Sequence, residues 1–195
     1  MNGKKWNGKG YDKNGNTIYE LKNGNGNVKE YYVNGELEFE GEYLNGKRNG
    51  KGKEYDFHGN LLFEGDYLNG KMWNGKGYDK NGNLIGELKN GNGKIQEHYE
   101  NGGIKYEGEY SNGERNGKGK EYDYKGRLKF EGEYLNDKKW NGKGKEYYDN
   151  GKLKFEGEYI NGKKWNGKGK EYNYYGILIF EGEYFNGEWK KIIEN

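Results

Sequence analysis

The 195-residue sequence contains no cysteine and no proline, and alanine is missing as well. The lack of cysteine removes disulfides, thiolate metal sites and thiol nucleophiles together, and suits a reducing, cytoplasmic setting. With 38 glycines and few good apolar helix formers, the chain is poorly equipped for helices. Leu, Ile, Val and Phe together make up about 15% of the residues, a level that with high net charge would signal disorder. The charge, however, is nearly balanced, 34 Lys+Arg against 32 Asp+Glu, and aromatics reach 17%. These values predict a folded, all-β chain. A mean hydropathy of -1.46 leaves too little apolar material for a thick two-layer core, so a thin, elongated sheet is expected. The opening MNGKKWNGKG has no apolar segment and no run of 18 apolar residues occurs, so neither a signal peptide nor a membrane span is expected.

What is present is repetition. FEGEY or a near copy begins at Phe39, Phe63, Tyr106, Phe130, Phe155 and Phe180, with weaker copies at Thr17 and Leu84. Residues 6–72 recur as 73–139, making Trp6, Trp73 and Trp140 equivalent. Periods of this length mark an array in which no unit buries its apolar face alone. Residues 1–195 are therefore expected to form one continuous repeat domain. It comprises a half unit at 1–16, full units from about 17, 39, 63, 84, 106, 130 and 155, and a half unit at 180–195.

Within a unit, Leu153, Phe155, Gly157 and Tyr159 alternate with Lys154, Glu156 and Glu158, which gives a period-2 strand with one apolar and one charged face. Of the 38 glycines, 21 follow an asparagine, and Asn-Gly is the preferred pair for tight hairpin turns. Each unit thus reads as a β-hairpin, and the succession as a single antiparallel meander of stacked hairpins. Phe39, Tyr43, Phe63, Tyr67, Phe130, Tyr134, Phe155 and Tyr159 should share the core face, with rings covering strand glycines such as Gly41. The 25-residue units carry Trp where NGKKWNG replaces NGKRNG, and this length difference is assigned to the turn. Tyr106-Glu-Gly-Glu-Tyr110, followed by Asn112-Gly113 and Gly117-Lys-Gly119, resembles the MORN repeat, and YYDNGKLKFEGEY at 147–159 resembles its bacterial-type variant. The resemblance implies a stacked-hairpin sheet with roles in assembly, protein docking and membrane-proximal architecture.

Catalytic equipment is sparse. The chain has two histidines, His58 and His98, one serine, Ser111, and one threonine, Thr17, so no nucleophile-base pair assembles. Glu-x-Glu pairs such as Glu40 with Glu42 and Glu156 with Glu158 place two carboxylates on one face, as glycosidases do. They recur in most units beside lysines, however, which points to cross-strand charge ladders. Asp79-Lys-Asn81-Gly-Asn83, like Asp12-Lys-Asn14-Gly-Asn16, opens like a calcium loop but lacks the Gly and Glu that such a loop needs, so an Asx turn is expected. No catalytic residue, cofactor or metal site is assigned.

Two features stand out. Lys4, Lys5, Lys47, Arg48, Lys71, Arg115, Lys138, Lys139, Lys163 and Lys164 gather around the first turns and should form a basic rim. Trp6, Trp73, Trp140 and Trp165 fall on the same rim. Such a rim suits anionic lipid headgroups, with single-stranded nucleic acid as the less favoured ligand, while the plainer reading folds each Trp over its own hairpin. The expected function is a non-enzymatic scaffold for protein-protein assembly. The alternatives are an anionic phospholipid (phosphoinositide) module peripheral at a membrane, and an antitoxin or immunity-type partner. Open strand edges at the two ends also raise end-to-end self-association.

Overall fold

The computed structural model describes residues 7–11, 15–164, 167–185 and 188–190, and among them only strands, bridges, turns and bends occur. No helix of the described residues is long and apolar enough to cross a membrane. Contacts divide the chain into two compact units, residues 1–104 with 110–114 and residues 105–109 with 115–195. The strands of the first are β1 (Gly8–Tyr11), β2 (Thr17–Leu21), β3 (Gly26–Tyr31), β4 (Leu37–Leu44), β5 (Lys47–Tyr55), β6 (Leu61–Leu68), β7 (Lys71–Tyr78), β8 (Leu84–Lys89) and β9 (Asn92–His98). The boundary crosses β10 (Ile104–Ser111). The second unit continues with β11 (Glu114–Tyr122), β12 (Leu128–Leu135), β13 (Lys138–Tyr147), β14 (Leu153–Ile160), β15 (Lys163–Lys164), β16 (Gly167–Tyr172), β17 (Leu178–Phe185) and β18 (Glu188–Lys190). Strand order follows chain order, and the pairings from β3 to β9 and from β11 to β18 are antiparallel, so the meander expected from the sequence is the fold.

The register sets glycine against glycine. Gly41 faces Gly52, Gly52 faces Gly65 and Gly65 faces Gly75 in the first unit. In the second, Gly119 faces Gly132, Gly132 faces Gly142 and Gly144 faces Gly157. A row of glycines therefore crosses the strands, and rings lie over it. A Cβ at Gly52 would stand 2.8 Å from the Phe39 ring, and one at Gly142 2.9 Å from the Phe130 ring. Phe39, Phe63, Tyr67, Tyr106, Phe130, Tyr134 and Phe155 are buried, while Tyr43 and Tyr159 are half-buried. The rings meet edge to face, Phe39 to Tyr67 at 5.4 Å and Phe130 to Tyr159 at 5.7 Å, the geometry that aromatic quadrupoles favour.

Two details differ from the sequence expectation. The turns Asn45-Gly46 and Asn69-Gly70 are the same length, with Asn45 at φ 52° and Gly46 at φ 73°, the left-handed pair a tight hairpin turn requires. The extra residue of the Trp-bearing units lies instead in the strand. There Tyr67 faces Met72 and Asp66 faces Asn74, so Trp73 is a one-residue bulge; Trp140 is accommodated likewise between Lys139 and Gly142. The other class puts three residues, Asn49, Gly50 and Lys51, opposite Glu42. Because a one-residue shift exchanges the faces of a strand, the bulge decides which glycine of the Gly-Lys-Gly segment meets the preceding strand: Gly52, the second, in one class and Gly75, the first, in the other.

The second difference lies between β2 and β3, where only the bridge Lys22–Asn25 remains and β1 and β2 form a ladder of their own. In the sister hairpin β8–β9 the ladder continues, and a Cβ on Gly86 would come within 2.2 Å of the Lys94 carbonyl. Tyr19 occupies that position in the first copy, and a side chain there prevents the close approach. Truncating a ring of the glycine row should expose the cost of this packing. Phe130→Ala is expected to destabilise the protein by about 3 kcal/mol or more in denaturant unfolding, and a neutral result would reverse the face assignment.

Candidate functional site

Three surfaces are built by this register: a charged face, the ring-bearing face and the turn edge. On the charged face, Glu40 lies between Lys29 and Lys53, and Lys53 between Glu40 and Glu64. Lys29–Glu40 is 3.5 Å and Lys53–Glu64 3.1 Å, with Lys145–Glu156 at 3.0 Å and Lys170–Glu181 at 2.9 Å in the second unit. The Glu-x-Glu carboxylates Glu40 and Glu156 are thus ladder partners of lysines, as expected. Such exposed pairs add little stability. What they create is a surface of alternating sign above a glycine floor. Tyr55 and Tyr122 donate hydroxyl hydrogen bonds to Glu40 and Glu107, and burial together with these carboxylates pushes both phenols up to about 12. An open groove of about 520 Å³ lies on this face in the first unit, lined by Lys29, Glu40, Lys53 and Glu64 with Gly41 and Gly52 between them. One of about 860 Å³ lies on the second unit, lined by Glu131, Lys143, Lys145, Glu156 and Lys170.

On the ring-bearing face sit three cations that the sequence assigned to the basic rim. Arg48 stacks over the Phe39 ring at 4.0 Å and bonds Glu30 at 2.9 Å and Glu54 at 3.2 Å. Arg115 lies over Tyr106 at 4.3 Å and 3.9 Å from Glu121, and Lys139 reaches Glu121 at 3.3 Å. These three are inward supports of the core, not rim charges. The reason is alternation: the first residue after the turn points out, as Lys47 and Lys138 do, and the second points onto the rings. Glu121 also receives Lys129 at 3.1 Å and the Tyr134 hydroxyl at 3.1 Å. Burial alone would raise its pKa, but Lys139 and Lys129 hold it below the usual carboxylate range. Burial lowers the Lys139 ammonium against the pull of Glu121, which is shared among several donors. Burial of the Tyr134 phenol, reinforced by Glu121, raises its pKa strongly.

The turn edge keeps Lys47, Lys71, Lys138 and Lys163 of the proposed rim, with Lys71 engaged by Glu114. Trp140 is 36% exposed. The Trp73 ring instead packs on the turn of the next hairpin, 2.8 Å from where a Cβ of Gly91 would stand, and not over its own. Trp6 and Trp165, with Lys4 and Lys5, lie outside the described residues, as does the side chain of Lys164. A feature not foreseen binds the edge together. The Asn45 amide donates to the Asn25 side-chain oxygen at 3.0 Å, Asn69 to Asn49 at 3.1 Å and Asn90 to Asn74 at 2.7 Å, while the Gly46 amide donates to the Gly24 carbonyl. Each turn is pinned to the hairpin before it. The recurrence of Asn one hairpin apart was the available signal.

On the opposite edge, Asp79 accepts from the Asn83 side-chain amide and from the backbone amides of Asn83 and Asn81, the Asx turn expected, and these bonds, the side-chain one foremost, lower its pKa. Asp12 and Asn14 of the sister copy lie outside the described residues. His58 is a turn residue whose amide bonds Asp56, and His98 ends β9 with its pKa lowered by burial. Among the described residues no three His, Cys, Asp or Glu side chains converge to hold a metal ion.

Hairpins that bury aromatic rings on facing glycines, joined by pinned Asn-Gly turns, define an all-β repeat protein. Segments 24–45, 91–112 and 140–161 match the MORN repeat variant, and 39–57 and 106–126 match the MORN repeat. The chain belongs to the MORN-repeat family. No curated protein matches it.

The Glu121 cluster makes acid sensitivity testable. The folded-state pKa of Glu121 is lowered, so its contribution is present above the unfolded carboxylate value and is lost as pH falls through the folded one. Urea unfolding between about pH 6 and pH 3 should show a shallower acid loss for Glu121→Gln than for the unaltered chain. Parallel slopes would contradict the assignment.

Proposed function

We propose that the protein is a non-enzymatic scaffold whose charged face docks another protein. MORN repeats are in general scaffolds for protein or lipid interaction. The observation that carries the protein reading is the pair of grooves of alternating sign, about 520 and 860 Å³. Interleaved lysines and glutamates give a polypeptide both donors and acceptors, while a uniformly anionic ligand meets as many carboxylates as ammonium groups. Lipid binding is the second reading. It draws on Trp140, on Leu135 and on Lys138, which are exposed together at one turn. It is weakened because Arg48, Arg115 and Lys139 are spent inside the fold.

Co-purification from the native source with lysine-directed crosslinking is expected to trap protein at Lys29, Lys53, Lys143 or Lys145. Sedimentation with phosphatidylserine vesicles at low salt, released as screening rises, with no crosslinks at those lysines, would overturn the protein reading in favour of lipid.

A further inference from the structure

In an array of near-copies, the copy that departs from the rest marks a special place. At the edge opposite the Asn-Gly turns, loops of five residues recur at 32–36, 56–60, 79–83, 99–103, 123–127, 148–152 and 173–177. The third and fifth positions are polar or Gly in six of them, among them His58 and Asn60, Lys125 and Arg127, and Asn150 and Lys152. In the seventh they are Tyr175 and Ile177, and Ile179 follows. All three are exposed, Tyr175 by 73% and Ile177 and Ile179 by 61% each. The loop is held rather than splayed. Tyr148 packs edge to face on Tyr174 at 5.6 Å, the Asn150 amide donates to the Tyr174 carbonyl at 2.8 Å, and the Lys152 ammonium donates to the Tyr175 carbonyl at 2.6 Å. Arg127 ties the loop before it to the Gly151 carbonyl at 2.5 Å. The three loops of the second unit are thus one connected surface, apolar at its end and basic beside it.

Charge along this edge reverses between the units. Over the loops 123–127, 148–152 and 173–177, the second unit has Lys125, Arg127 and Lys152 against Asp123 and Asp149, with Arg127 paired to Asp123. The loops of the first unit at 32–36, 56–60, 79–83 and 99–103 have Glu36, Asp56, Asp79 and Glu100 against Lys80 alone, with Asp56 buried. Those at 32–36, 56–60 and 99–103 too are one connected surface. Tyr32 meets Phe57 at 4.4 Å, the Asn34 amide donates to the Phe57 carbonyl at 3.0 Å, and the Phe57 amide donates to the Glu100 carbonyl at 2.7 Å. Val33, fully exposed in the same loop as Glu36, supplies an aliphatic contact.

We propose that the basic, apolar loop edge of the second unit docks the acidic loop edge of the first unit on a second copy of this chain. The complementarity of the two edges is the argument for the occupant: an exposed apolar patch in a basic fringe matches an exposed valine in an acidic one. The contact is heterologous, so it builds chains or rings of copies. It uses neither the grooves nor the strand edges, and so stands or falls apart from the docking function above.

Sedimentation velocity of the full chain at low ionic strength, over a hundredfold range of concentration, should give a mass that rises above 22.7 kDa and falls back as salt is added. Lys125→Glu with Lys152→Glu should weaken association at least tenfold, as should Glu36→Lys with Glu100→Lys. Mixing the two double variants restores opposite charges across the contact and should restore association. Two results would overturn the proposal: a mass of 22.7 kDa under all conditions, or association that survives both double variants, which would place it at the strand edges. Circular dichroism of each variant guards against misfolding, and recovery in the mixture requires that both are folded.

Discussion

The contact on which this structure depends is an aromatic ring lying across a pair of facing glycines. A Cβ on Gly41 would come within 2.6 Å of the Lys51 carbonyl, and one on Gly132 within 2.2 Å of the Asn141 carbonyl, so the strands approach more closely there than side chains permit. The space left above the backbone is filled by the ring of Phe39 or Phe130. Burying a ring against backbone lets a sequence with few aliphatic residues remove apolar area from water. Arg48, Arg115 and Lys139 extend the arrangement by laying cations on or near the rings and pairing with Glu30, Glu54 and Glu121. Those cations are thereby withdrawn from the turn edge, and the charge left for recognition falls elsewhere, on the alternating face and the two loop edges.

Much of this was legible in the sequence because repetition averages away local ambiguity. The alternation around Phe155 fixes a face, the Asn-Gly pairs fix the turns, and the glycine two residues after each ring announces a close approach. The fate of Trp73 was less legible. A one-residue difference near a turn is most simply placed in the turn, but the Asn-Gly turn tolerates no change of length. The residue is therefore absorbed as a bulge in β7, which also alters the glycine register. Tyr19 is the converse case: one side chain in a glycine position reduces the β2–β3 ladder to a bridge.

The candidate site was legible in part. The charge ladder follows directly from period-2 alternation, and the structure pairs Glu40 and Glu156 with lysines as expected. The basic rim failed for Arg48, Arg115 and Lys139 because a count of charges near a turn ignores which way consecutive strand residues point. The Asn-to-Asn pins between turns and the reversal of charge between the two loop edges needed the hairpins to be set side by side. Both join residues sixteen or more positions apart, a separation that local patterning does not read.

Gly52→Ala tests the central contact most directly. Gly52 has ordinary extended backbone, so on propensity alone alanine there should stabilise the strand by roughly 0.5–1 kcal/mol. Its Cβ would instead stand 2.8 Å from the Phe39 ring and 3.1 Å from the Tyr67 ring. Equilibrium urea unfolding should therefore show a loss of about 1–3 kcal/mol, the cost of overpacking. A gain in stability would contradict the account, since it would mean that no ring rests on the glycine row.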